Sequence, residues 1–344
     1  MFRYLVRRTL WAIVLFLVIM FVTFVIFFMA PNNPARAVCG GDQARPECLV
    51  LATEKLGLDK PIYIQYSRFI GRLLPVSRPV SFQGGVHLRQ PHFKTPSLGT
   101  AFATSEELNQ TIIKAAPVTA SLVIGGAVLW MLIGLTVGIF SALKPRSLLD
   151  RGAMVFVLIG VSAHPVWIGL ILSYFFGVKW DITPIANYSY FFGAPADSGL
   201  PGGPWQWFYH MILPWCTFAL LFSALYVRMI RANVMETLNE DFVRTARAKG
   251  APERRVLISH VLRNALLPVV TMLGMDIGVA LGGAIFTEGI FQLPGLGRTA
   301  ILAINNQDLA TVQAVVVFAT VAILIFNLVV DLLYAWIDPR IRLT

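Results

Sequence analysis

Charge is scarce in this sequence: Asp, Glu, Lys and Arg make up 13% of its 344 residues, against 56% hydrophobic residues. That balance is more apolar than a soluble domain tolerates and excludes a chain dispersed in water alone. The patterns on which enzymes rest are absent as well. No nucleophile with its base, no paired carboxylates and no metal cluster stand where water would reach them. There is no HExxH, and His87, His92, His164, His210 and His260 are scattered over different segments instead of falling at ligand spacing. A GxxxxGK(S/T) phosphate loop is missing too, so the chain is not expected to hydrolyse ATP by that device, and any energy source lies elsewhere. No catalytic residue, metal or cofactor is therefore expected in this chain. The net charge of +10 does not signal nucleic acid. Lys and Arg sit mostly in short segments between apolar runs, with no basic block interleaved with exposed aromatics.

What the sequence does contain is apolar length. Runs of roughly 20 residues recur, enough to cross a hydrocarbon core of about 30 Å. They predict an all-α membrane protein with six spanning helices near residues 9–30, 118–143, 152–176, 208–231, 265–286 and 311–337. The first run follows Arg3, Arg7 and Arg8 as a signal peptide would, but it is too long for an h-region and reads as a retained helix. Between the runs lie an insert at 31–116, a basic loop at 144–151, a Pro/Gly-rich loop at 177–207, a charged loop at 232–264 and a loop at 287–310. Arg3, Arg7, Arg8, Lys144, Arg146, Arg151, the basic residues from Arg228 to Arg263, Arg340 and Arg342 all fall on one side, which the positive-inside rule makes the cytoplasm. Both termini then face inward and the 31–116 insert faces outward. Outside, Cys39 and Cys48 are close enough in sequence to close a small disulfide loop, with two free thiols as the alternative. Cys216 reads as a small buried hydrophobe.

Ionisable groups inside spans are functional suspects because a charge near the bilayer centre must face a cavity or a partner. Asp276 lies mid-helix in the fifth run, either as a pathway or gating group or as one satisfied by a neighbouring helix. His164 precedes Pro165 in the third, where its imidazole or a water is expected to satisfy carbonyls freed by the proline; a gating role is the alternative. Asp331 and Glu288 stand near span ends, where solvation makes a structural role the expectation. Gly274, Gly278 and Gly282, like Gly134 and Gly138, repeat every four residues and predict close helix packing.

The charged segment 237–268 reads as two short helices with a tight turn. Asn239 is expected to cap the first, Gly250 to take the left-handed position past its end, and Pro252 to open the second, whose Val256, Leu257 and Val261 share a side. Such an elbow at a membrane surface is a shape that another protein can grip, or else an amphipathic element on lipid.

The stretch DFVRTARAKGAPERRVLISHVLRNALLP resembles the cytoplasmic EAA loop of ABC importer permeases in the form used by the dipeptide, oligopeptide and nickel family. FRYLVRRTLW, LGLDKPIYIQY, SLGT ahead of Ala116-Pro117, FTEGIFQLPGLGR and NLVVDLLYAWIDPRIR are similar, in order, to that family's B-type permease. There are departures. Arg244-Thr245-Ala246 stands in place of Glu-Ala-Ala, and the later Leu-Pro pair falls on Leu262-Arg263. Pro31-Asn32-Asn33-Pro34 lacks the usual Gly-Asp, Ser97 replaces an Asp, and the insert is enlarged.

The resemblance implies a type I importer permease fold, with residues 1–30 as cytoplasmic N-terminus and first helix, 31–116 as extracytoplasmic insert and 117–344 as a five-helix core. It implies a second homologous permease, two ATP-binding subunits carrying ATP and Mg, and an extracytoplasmic solute-binding protein. The ATPase-coupling residues would be Asp241, Phe242, Arg244, Thr245, Ala246, Arg247, Ala248, Gly250 and Arg254, with Ala246, Arg247 and Ala248 at the contact surface. Peptides are the implied cargo, and nickel chelates or oligosaccharides the alternatives within the family. A secondary transporter or channel would need no ATPase.

Overall fold

The structure, a computed structural model, describes residues 2–29, 35–36, 39, 45–56, 59–73, 97–99, 101, 106–192, 202–282 and 284–337. The Pro31–Pro34 turn, His87, His92, Arg340 and Arg342, and the side chains of Arg3 and Asp331, lie outside the described residues. Among the described residues the chain is helical, with no strand. Apolar helices satisfy their backbone groups internally, which lipid demands. Among the described residues four helices are long and apolar enough to cross a membrane by themselves: α1 (Phe2–Met29), α4 (Leu108–Leu143), α7 (Pro204–Leu238) and α13 (Leu309–Ile337). Two further spans are bent pairs, α5 (Leu148–Ser162) with α6 (Pro165–Lys179), and α9 (Glu253–Ala265) with α10 (Leu267–Ala280). The shorter helices are α2 (Pro46–Leu56), α3 (Ile62–Leu73), α8 (Asp241–Ala248), α11 (Ile285–Ile290) and α12 (Leu296–Asn305).

Two spans differ from the sequence expectation. The third is not one helix, because α5 and α6 meet at 109° across Ala163 and His164. Pro165 drives the residue before it out of the helical region, and His164 has φ −75° and ψ 140°. Its imidazole does not serve a freed carbonyl. Nδ1 accepts the Val166 amide at 3.3 Å, so His164 caps the new helix. The fifth helix stops at Ala280 instead of Phe286, which leaves Gly282 in the turn beyond its end, donating to the Val279 carbonyl at 3.0 Å.

The chain divides into two compact units. One comprises Met1–Leu10, Ala116–Arg298 and Val321–Thr344. At its heart the buried Trp130 of α4 stacks on Phe222, at 4.6 Å between ring centroids, and meets Phe218 and Tyr226 of α7. Small residues allow this approach. A Cβ on Gly134 would lie 2.9 Å from Tyr226 Cβ, and one on Gly138 would lie 3.0 Å from Ile230 Cβ. On α10, the Cβ positions of Gly274 and Gly278 point at Val330 and at Ile323 of α13. Cys216 is half-buried in α7 and less enclosed than expected.

The other unit comprises Trp11–Ala115 and Thr299–Thr320. Here Phe21 and Phe24 of α1 pack on Tyr66 of α3, whose hydroxyl donates to the Leu17 carbonyl at 3.2 Å. Cys39 and Cys48 are joined as a disulfide with their Cα atoms 5.9 Å apart. Leu98, in the segment 97–99, lies against the start of α4, where its amide donates to Asn109 Oδ1 at 2.9 Å.

The tightest glycine contact with an aromatic ring sets a test. A Cβ on Gly125 would lie 2.1 Å from the Trp215 indole, which cannot swing aside because its Nε1 donates to the Ser121 carbonyl at 2.8 Å. Gly125→Leu is expected to cost about 1–3 kcal/mol by overpacking. In a thermal melt of the detergent-solubilised protein it lowers Tm, whereas an unchanged Tm would mean that α4 and α7 do not meet here.

Candidate functional site

The elbow is α8, a turn at Lys249–Pro252, and α9. Asn239 does not cap α8; it closes α7, its backbone N–H directed at the Glu236 and Thr237 carbonyls, and Glu240 is the residue that opens α8. Both are polar residues beside a helix end, and the chain needs one to stop α7 before another starts α8. At the C-terminus of α8 the Ala251 amide donates to the Ala246 carbonyl at 3.2 Å and the Gly250 amide to the Arg247 carbonyl at 2.9 Å. These are the paired bonds of a Schellman motif, and Gly250 takes the left-handed φ of +78° that it requires. A Cβ on Gly250 would meet nothing within 4 Å, so backbone conformation, not space, demands glycine.

Pro252 stands just before α9 as its N-cap instead of in its first turn. Within α9, residues Val256–Leu262 form a wider turn of i→i+5 type, which brings Val256 and Val261 to one buried face. Val243 and Ala246 supply the buried face of α8. Ala246 therefore points into the elbow and leaves the contact surface assigned to it above. Asp241, Phe242, Arg244, Thr245, Arg247, Ala248, Gly250 and Arg254 remain exposed. Arg247 reaches across the turn to Glu253, Nε to Oε1 at 2.9 Å and Nη2 to Oε2 at 3.3 Å, and braces the two limbs. Arg244 lies 3.7 Å from Asp241, a solvent-exposed pair of little energetic consequence.

Above the elbow is a cluster that sequence reasoning missed. Asp150, in the first turn of α5, receives a forked guanidinium from Arg231 of α7, Nε at 2.7 Å and Nη2 at 3.0 Å. The Ser141 hydroxyl of α4 and the Arg146 amide, the latter at 2.8 Å, donate to the same carboxylate. One buried anion thus ties α4, α5 and α7 together, and α7 runs on into the elbow. Asn233 adds a bond from its side-chain amide to the Ala265 carbonyl at 3.2 Å, fastening α7 to the end of α9.

Asp276 is half-buried, and its Oδ2 accepts the Tyr226 hydroxyl of α7 at 2.7 Å. His164 is not brought to it. The His164 ring packs edge-on against Phe286 at 5.1 Å. Glu288, expected at a solvated span end, is wholly buried. It accepts the Thr119 hydroxyl of α4 at 2.7 Å and the Arg298 amide at 3.0 Å, while Thr119 Oγ1 accepts the Leu296 amide at 2.8 Å. Burial pushes its carboxyl above the ordinary range, and the Arg298 amide and Thr119 hydroxyl pull it back. Two of the glycines in FTEGIFQLPGLGR leave room for this arrangement. A Cβ on Gly295 would lie 2.5 Å from the Glu288 carboxyl carbon, and one on Gly297 would lie 2.8 Å from Ile285 Cα. Among the described residues no group of His, Cys, Asp and Glu could hold a metal ion.

Comparison with known proteins bears on what this arrangement serves. Residues 134–343 match the family described as binding-protein-dependent transport system inner membrane component, and residues 1–123 match its N-terminal companion. The chain belongs to this family of transport permeases. The permease is 34% identical to the dipeptide transport system permease protein DppB of Alkalihalophilus pseudofirmus, over 99% of this chain and 100% of that one. It is 33% identical to the di/tripeptide transport system permease protein DppB of Pseudomonas aeruginosa and to the Escherichia coli K12 dipeptide permease, over 99% of each chain. A chain from a crystal structure of an amino acid ABC transporter with histidines overlays with TM-score 0.50 at 14% identity, over 66% of this permease and 94% of that chain. That likeness shows the fold alone.

The Asp150 cluster was out of reach of sequence reasoning because its charged partners stand 81 residues apart. Only Arg231, at the end of an apolar run that also holds Arg228, hinted at it. Asp150→Ala strands the Arg231 guanidinium and is expected to cost about 3–5 kcal/mol. Unfolding of the purified permease in detergent measures this; a loss under about 1 kcal/mol, the scale of exposed pairs, would show that the fork is solvated.

Proposed function

We propose that this permease is one of two homologous membrane subunits of an ATP-driven importer of di- or oligopeptides, forming half of the translocation path. Two ATP-binding subunits, which carry the ATP and Mg, dock on the elbow from the cytoplasm, and a solute-binding protein delivers cargo from outside. The end-to-end similarity to permeases named for dipeptide transport is the observation that carries the reading of the cargo. The elbow supports the reading of the energy source. Phe242 is 41% exposed on a short helix otherwise lined with charge, and an exposed aromatic beside arginines suits a protein partner. The Lys and Arg distribution supports cytoplasmic termini and an outward 31–116 segment carrying the Cys39–Cys48 loop.

In this reading closure of the ATPases moves the elbow, and the Arg247–Glu253 brace and the Schellman turn make α8 and α9 move as one piece. The Asp150–Arg231 fork and the Asn233 bond pass that motion to α4, α5 and α7, and rigid-body motion of helices switches access from outside to inside. Asp276 is retained as the group on the path. His164, occupied as a helix cap, is assigned to the bend and not to a gate.

Gly250→Val places a β-branched residue at positive φ, a strain of about 1–2 kcal/mol, small enough for the protein to insert. In proteoliposomes holding the whole transporter it reduces ATP-dependent uptake of a radiolabelled tripeptide at least about ten-fold, 1.4 kcal/mol of coupling. Capture by the binding protein stays intact. Uptake at the wild-type rate would remove the elbow from the mechanism.

A further inference from the structure

Asp276 stands where three separate conditions disfavour an anion. The first is depth, since it lies in the apolar helix α10 against Tyr226, which is near the middle of the 35-residue α7. A charge there must face water or a partner. The second is the helix dipole. Asp276 is one turn from the end of α10 at Ala280, so the partial negative charge of the last carbonyls falls beside it. The third is the lack of a counter-ion, for among the described residues no Lys, Arg or His pairs with it. Its Oδ2 is taken by the Tyr226 hydroxyl, and its Oδ1 has no donor among the described residues.

The faces of α10 show where that free oxygen belongs. Gly274 and Gly278 close one face against α13, and Asp276, two residues from each, falls about 200° and 160° around the helix from them at about 100° per residue. It borders the open side, where Met272, Met275 and Val279 are exposed by 36%, 45% and 65%. Methionines make a deformable apolar wall that accepts varied side chains. A carboxylate beside such a wall, short of a cation and backed by negative dipole, attracts a positive group that arrives and leaves.

We propose that Asp276, held by Tyr226, is a specificity-determining residue on the path that receives a positively charged group of the passing cargo: for a peptide, its terminal ammonium or a Lys or Arg side chain. This rests on the peptide-importer reading and adds to it a charge preference residing in the membrane subunit itself.

The test uses the whole transporter in proteoliposomes with three cargoes, Ala-Lys-Ala, Ala-Ala-Ala and Ala-Glu-Ala, with capture of each by the binding protein measured separately. Asp276→Asn is expected to slow Ala-Lys-Ala uptake about ten-fold and Ala-Glu-Ala at most about two-fold, with Ala-Ala-Ala between them. Asp276→Glu restores the wild-type order. A merely structural role, a carboxyl that stays protonated, or a cation supplied by the second permease would change all three cargoes by one factor or none. Any of those results overturns the proposal, as does failure of Asp276→Asn to assemble while Asp276→Glu assembles with no charge preference. If wild type shows no ATP-dependent uptake of any of the three, the importer reading fails first and separately.

Discussion

Lipid leaves a peptide group nothing to bond with except its own chain, and the rest of this molecule follows from that constraint. It makes every crossing helical and confines breaks to places where freed groups find new partners. The bend between α5 and α6 is tolerable because the His164 ring accepts the Val166 amide and its carbonyl accepts the Trp167 amide at 3.0 Å. The same need for partners decides where a charge can be buried. Asp150 is buried only because two neighbouring helices and a turn bring donors to it. Glu288 is buried only because the start of α12 and Thr119 supply theirs.

These buried carboxylates do different work. Asp150 and Arg231 bind together the helix ends nearest the elbow, and Glu288 holds the α11–α12 hairpin on α4. A buried ion pair is weak ground for net stability but strong ground for a single geometry, since any misalignment strands a charge. A part that must move as a rigid body benefits from that intolerance. Asp276 differs from them, with one oxygen committed to Tyr226 and the other without a donor among the described residues, which is the ground for the role proposed for it.

Much of this was legible in the sequence because it is written locally. Apolar runs announce the spans by length alone, and Gly250 with Pro252 punctuates the elbow. The glycine pairs at Gly134 and Gly138 and at Gly274 and Gly278 announce close helix contact through spacing. What escaped depended on contacts between distant segments or on a choice between neighbouring residues. The bend at His164 escaped although Pro165 stood in view, since the run reads as one span by hydropathy, which counts composition and not backbone direction. Asn239 and Glu240 both suit a helix end, and only packing decides which helix each serves. Ala246 reads as a small contact residue, yet the i, i+3 spacing from Val243 turns it inward. Glu288 looked solvated near a span end, although the Gly295 and Gly297 that make room for its hairpin were visible a few residues on.

The central claim is that this permease takes its energy from another protein through the elbow. The most direct measurement is cross-linking from a single introduced cysteine, Phe242→Cys, in the assembled transporter, with a short thiol-reactive photoprobe. The account predicts a covalent product with an ATP-binding subunit whose yield changes between nucleotide-free and ATP-trapped states. A probe that labels only lipid, or a product indifferent to nucleotide, would contradict it.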